Sequence, residues 1–365
     1  LQNKADCPKK SLCICPSCYF GQLCQFNTNS FRSSLDSILG YHILTNIHLM
    51  NQTPIVKMSF AFTIVFLIIG SIDAILCITT FKNKVVCEYA CGLYLLFSSL
   101  TTLLITILFG LKYFILLRSQ VNMSFNQRFF QIQCQLFDFL LEVCLSMNQW
   151  LNACVAVERT MMATQGAKFN RIRSVKAIKF VLMILFIAII VSYVPDPIYR
   201  RVIEEENDFD ATKRTWCIVN YSSSLRVYNY IIHIVHIAGP FLTNLISVII
   251  LLKVKARQKL AIYPNRTDTQ VLMEQCREFK HLIIAPIALM TLTFPRLIAL
   301  FMSRCMQSSN DAWFYLIGYF ISFIPPILTF IIFVLPSKFY TVEFKNTIRH
   351  YRRTIQHRLN SHYHF

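Results

Sequence analysis

The sequence predicts an all-α membrane protein: a seven-transmembrane helix bundle with an amphipathic eighth helix, N-terminus outside and C-terminus inside. Two observations set that class and a third orients it. The 365 residues are 55% hydrophobic and only 15% charged, where a soluble domain carries about 25% charged residues. The apolar residues fall into seven runs, each long enough for the roughly 20 residues a bilayer core demands. The basic residues then sort to one side of those runs.

The runs extend from Val56 to Phe81, Val86 to Leu116, Gln131 to Arg159, Ile178 to Ile198, Val227 to Leu252, Leu282 to Met302 and Ala312 to Leu335. An odd number of spans puts the termini on opposite sides. With the N-terminus outside, 21 of the 36 Lys and Arg fall in or beside the inner segments, which is the positive-inside arrangement. The acidic run Glu204, Glu205, Glu206, Asp208 and Asp210 then lies in the outer loop after span four. A net charge of +18 would otherwise suggest nucleic acid. Sorting by side accounts for it, so the expected partner is membrane lipid and not nucleic acid, and the expected place is the plasma membrane, crossed several times.

Four regions follow: 1–25, cysteine-rich; 26–55, a polar extracellular linker; 56–335, the membrane domain; 336–365, an amphipathic helix and tail. Five of the 14 cysteines lie in the first 24 residues, and disulfides persist outside the cytosol. Sequons at Asn122 and Asn220 fall outside and are expected glycosylation sites. The outer sequon at Asn51 is weakened by Pro54, and the one at Asn265 falls inside. The chain opens on Leu1, and its cysteine module reads as cut in half, so a fragment or processed chain is expected.

Cys134 and Arg159 stand 25 residues apart in span three. At 1.5 Å per residue that is roughly 37 Å, about one membrane thickness. Cys134, the run Glu158-Arg159-Thr160, and Cys217 in Thr215-Trp216-Cys217 resemble the rhodopsin-like receptor family. The resemblance covers about residues 55 to 350. It implies a Cys134–Cys217 disulfide over the top of span three, and a role for Glu158, Arg159 and Thr160 in coupling to a heterotrimeric G protein. Pro240, Pro295 and Pro326 resemble the family's kink prolines in spans five, six and seven. Bundles tolerate such prolines because neighbours satisfy the freed carbonyls.

The chain also departs from the family. Span six reads Leu292-Thr293-Phe294-Pro295, without the switch tryptophan. Span seven reads Pro325-Pro326-Ile327-Leu328-Thr329, without the asparagine and tyrosine. The span-two aspartate is absent, and Asp73 in span one is an intramembrane acid with Asn148 as one candidate partner. Tyr340, Phe344 and Ile348 recur every four residues among basic ones, which resembles the family's short eighth helix on the inner leaflet. The combined wording of spans one to three, with Cys91-Gly92-Leu93-Tyr94 and the run from Asn148 to Arg159, is similar to orphan receptors of small aquatic invertebrates.

Cys13-x-Cys15-x8-Cys24, with Gly21 before the last cysteine, resembles the closing half of an EGF-like module. That likeness implies a Cys15–Cys24 bridge, leaves Cys7 and Cys13 to upstream partners, and has no place for Cys18.

In this family ligands enter between the outer halves of spans three, five, six and seven. Asp138 and Glu142 on span three, His233 and His236 on span five, Arg296 on span six, and Tyr315 and Tyr319 on span seven fall at that depth. They are read as a polar ligand pocket, against the alternative of a Glu142–Arg296 ion pair that only packs the bundle. Leu141 stands where amine receptors carry an acid, so a peptide or small polar ligand is expected. No metal site, cofactor or enzymatic motif is expected. The competing readings are a non-coupling decoy or adhesion receptor, or a transporter or channel.

Overall fold

The computed structural model describes residues 19–20, 26–27, 35–44, 47–121, 127–207, 212–219, 221–260, 285, 287–295 and 311–362. The predicted Cys15–Cys24 bridge, the sequons at Asn122 and Asn220, and Arg296 lie outside them.

Helix α1 is Pro54–Phe81 and opens on Pro54 at its first turn, where a missing N–H costs nothing. Helix α2 is Ala90–Val121 and α3 is Gln127–Gln165. Helix α4 is Arg171–Tyr193, capped by Asn170, whose side chain accepts the Arg173 N–H at 3.0 Å. Helix α5 is Ser223–Leu260. Residues 287–295 form α6, α7 is Asp311–Ile321, and α8 is Lys338–His362. Among the described residues, five helices, α1 to α5, are long and apolar enough to cross a membrane.

The apolar span of α4 runs on through the turn Pro195–Tyr199, which takes in the expected end at Ile198, with a break at Val194 where Pro195 interrupts the helical hydrogen bonds. The loop that follows is a β-hairpin. Strands β1 (Arg200–Asn207) and β2 (Thr212–Val219) pair antiparallel, with Val202 opposite Cys217.

Helix α3 is the hub. It buries 78% of its most apolar stretch, against 17% for α4 and 28% for α1. The outer faces of α1 and α4 present Val65, Ile68, Ile72, Phe186, Ile187 and Val191, a surface suited to lipid and not to water. Gly166 closes α3 with φ +51°, a left-handed residue that ends a helix without a Cβ clash.

Packing falls into two apolar cores. The inner one joins Phe81, Tyr94, Val155, Phe333 and Tyr340. The outer one joins Phe109, Tyr113, Leu141, Leu316 and Phe320 to Leu35, Ile38, Leu39 and Ile43. The last four belong to the segment expected to be a polar linker. Leu35–Leu39 is instead helical and buried, because its aliphatic spacing gives one short turn an apolar face that the linker composition hides.

The segment that follows α7 breaks after Ile321, restarts as Ile324–Ile327 on Pro325 and Pro326, and ends in a π turn at Phe330–Val334. The carboxylate of Asp73 accepts the Phe330 N–H at 2.8 Å. Asp73 therefore holds that segment and does not bond Asn148, whose amide goes to Ser98 and Thr102.

Candidate functional site

Towards its N-terminus, α3 projects Cys134, Asp138 and Glu142 at four-residue intervals, hence on one face. Cys134 is bonded to Cys217, which pins β2 over the helix. The hairpin brings Arg200 down beside Asp138, at 2.5 Å. From there a chain of charges runs through the interior. Arg200 Nε donates to Asp196 at 2.8 Å, and its Nη2 is 4.0 Å from Glu142. Asp138 also takes Lys112 of α2 at 2.9 Å, and Lys112 meets Asp36 of the N-terminal segment at 2.5 Å. His233 Nε2 is 3.8 Å from Glu142. Tyr221 donates its hydroxyl to Asp196 at 2.8 Å.

All of these charged side chains are at most 8% exposed. Such groups are tolerable only in mutual contact. Burial opposes the Arg200 charge, but Asp138, Asp196 and Glu142 outweigh it and hold the guanidinium charged well above its ordinary range. Burial, then Asp196, pushes the Tyr221 phenol upward, so it stays a donor.

The structure thus brings Asp138, Glu142 and His233 together around Arg200. His236 is placed differently. Its Nδ1 accepts the Trp150 indole N–H at 3.0 Å. Indole can only donate, so Nδ1 is unprotonated and Nε2–H points at Ser192 Oγ, 2.8 Å away. Tyr193 stacks on His236 at 5.1 Å and lies 5.5 Å from His233. His236 is a cross-link of α3, α4 and α5. Tyr315 and Tyr319 pack against the outer apolar core, with the Tyr319 ring 5.3 Å from Phe323. The alternative Glu142 partner, Arg296, is outside the described residues; among those described, Arg200 and His233 approach Glu142.

Lower down, Asn148 donates to Ser98 Oγ at 3.0 Å and Thr102 Oγ1 at 3.1 Å, and accepts from Asn152 at 3.2 Å. A cavity of about 20 Å³ beside Gln149, Asn152, Pro240, Asn244 and Pro325 has room for one water. Pro240 lies inside α5, and its carbonyl accepts the Asn244 amide at 2.9 Å. Pro295 is the last described residue of α6.

Towards the C-terminus of α3, Glu158 bonds Ser174 and not its neighbour Arg159. The Arg159 guanidinium lies 5.3 Å over the Phe333 ring, beside Cys91 and Tyr340, and is 9% exposed. Thr160 donates to the Ala156 carbonyl at 2.8 Å and the Ser247 carbonyl of α5 at 3.2 Å. Among the described residues no carboxylate pairs with Arg159. Helix α8 docks below, with Tyr340 edge-on to Phe81 at 5.4 Å and Asn83 donating to Glu343 at 2.8 Å.

Sequence reasoning missed Asp36, Lys112, Asp196, Arg200 and Tyr221. Lys112 carried a usable signal, since a lone lysine in an apolar run needs a partner. The others gave none, because their partners are set by the hairpin and the N-terminal turn.

Long apolar helices around a buried α3, with charges confined to its two ends, define a polytopic helical membrane protein. The family model of the 7 transmembrane receptor (rhodopsin family) matches residues 74–333, and the chain belongs to that family. No curated protein matches the sequence.

Proposed function

We propose that the chain is a plasma-membrane receptor that passes an extracellular signal to a heterotrimeric G protein. Seven spans run with the N-terminus outside, α8 lies along the inner leaflet, and the ligand is a peptide or small polar molecule received at the outer end of α3. The cysteine pattern at the N-terminus supports an EGF-like remnant, and the wording of spans one to three supports an orphan invertebrate type.

One observation carries the coupling reading. Arg159 sits at the inner end of the most buried helix and, among the described residues, has no carboxylate partner; Phe333, Tyr340 and Cys91 hold it. A guanidinium held by an aromatic face is released at small cost, since such contacts are worth about 0.5–2 kcal/mol. Movement of the seventh span away from α3 frees it. A ligand achieves this by binding the freed arrangement more tightly than the closed one.

The test is complex formation with nucleotide-free G protein in detergent. Wild type is expected to co-elute with at least one heterotrimer of a broad panel, and Arg159→Ala to weaken that complex at least tenfold at unchanged receptor stability. A complex indifferent to Arg159, or none across the panel from displayed receptor, sinks the reading in favour of a decoy or adhesion receptor.

A further inference from the structure

The N-terminal segment is bound as a ligand would be. Leu35, Ile38, Leu39 and Ile43 are at most 2% exposed. They share one core with α2, α3 and α7. Between these aliphatics, Asp36 reaches Lys112 at 2.5 Å, with both side chains at most 2% exposed. The segment's exit is clasped as well. The Gln52 side chain accepts the Leu44 N–H and donates to the Leu44 carbonyl, each at 2.8 Å, and Thr53 donates to the His42 carbonyl at 2.8 Å.

Lys112 gives the binding its chemistry. An ammonium buried in the outer half of a span is expensive unless paired. Among the described residues two acids meet it, Asp138 of α3 and Asp36 of the segment. Asp138 is shared with Arg200. A carboxylate arriving from outside therefore completes the pairing of Lys112, while the aliphatics on either side fill the outer core.

We propose that the outer mouth of the bundle is a binding site for a peptide carrying one carboxylate among large aliphatic side chains, and that residues 35–43 are its resident occupant in cis. A free ligand of that class displaces the segment instead of entering a vacant pocket. Tethering gives the segment an effective concentration on the order of millimolar, so the wild-type site is filled. The consequence of displacement rests on the receptor reading above; the binding does not.

The probe is a fluorescent synthetic peptide with the sequence of residues 33–44, added to the full chain in lipid nanodiscs. Asp36→Lys sets two cations against each other and vacates the site. That variant is expected to bind the peptide at least tenfold more tightly than wild type, and to reject a peptide with lysine in place of the aspartate. Asp36→Glu keeps a carboxylate opposite Lys112, leaves the site closed, and serves as the folding control. Equal affinity for wild type and Asp36→Lys overturns the proposal, as does no binding to either when Asp36→Lys displays as well as Asp36→Glu. Peptide binding without any G-protein complex would end the coupling reading alone. A complex without selective peptide binding would end this one alone.

Discussion

Asp138 touches both buried cations, Arg200 at 2.5 Å and Lys112 at 2.9 Å. Its neutralisation leaves two positive charges in a low-dielectric interior with weakened compensation. Breaking a buried pair from one side costs about 3–5 kcal/mol. Asp138→Asn is therefore expected to lower the thermal midpoint of the detergent-solubilised receptor sharply, which a thiol-reactive melting assay on the buried cysteines would read. A midpoint equal to wild type would mean that the network is not formed. Asp73 makes a smaller claim. Its substitution by alanine orphans the Phe330 N–H, at about 1–3 kcal/mol, and Asp73→Asn, which keeps an acceptor oxygen, is expected to recover most of that loss in the same assay. At this scale the sequence was legible where chemistry is tied to helical spacing. Cys134, Asp138 and Glu142 lie four apart, and Arg159 lies one membrane thickness below Cys134. Partners were not legible. Asp36 meets Lys112 from 76 positions away, and neither local pattern contains that pairing.

Among the elements, the β1–β2 hairpin carries the outer site. It supplies Arg200 and is tied to α3 by Cys134–Cys217, closing a separation of 83 residues. Cys217→Ser is expected to cost about 2–5 kcal/mol and to lower surface display, and wild type treated with reductant should lose stability to a similar degree in denaturant titration. Helices α1 and α2 approach closely where a Cβ built on Gly70 would stand 2.6 Å from Thr106 Oγ1 and 3.1 Å from Ile327 Cγ2. Close approach through small residues is how membrane helices associate without a hydrophobic drive. Gly70→Leu is expected to destabilise by about 1–3 kcal/mol through overpacking, measured again as a melting shift. The apolar runs showed α1 to α5 in the sequence because membrane spans need length and little else. The hairpin and the buried turn at Leu35–Leu39 were hidden. An acidic, polar stretch gives no strand alternation, and five residues are too few for a helical period.

For the whole molecule, charge sits at the two ends of one buried helix. The outer end is a closed network joining the N-terminal segment, α2, α3 and the hairpin. The inner end is one arginine resting on an aromatic ring of the seventh span. Helix α3 links them, and the proposed receptor function requires transmission between them. It is tested most directly by nucleotide exchange on the responsive G protein, comparing wild type, Asp36→Lys and Arg159→Ala at equal density in nanodiscs. Release of the N-terminal segment loosens the tie between the outer ends of the spans, so Asp36→Lys is expected to raise basal exchange several-fold, and Arg159→Ala to abolish the rise when the two are combined. Exchange that responds to neither substitution would contradict the account.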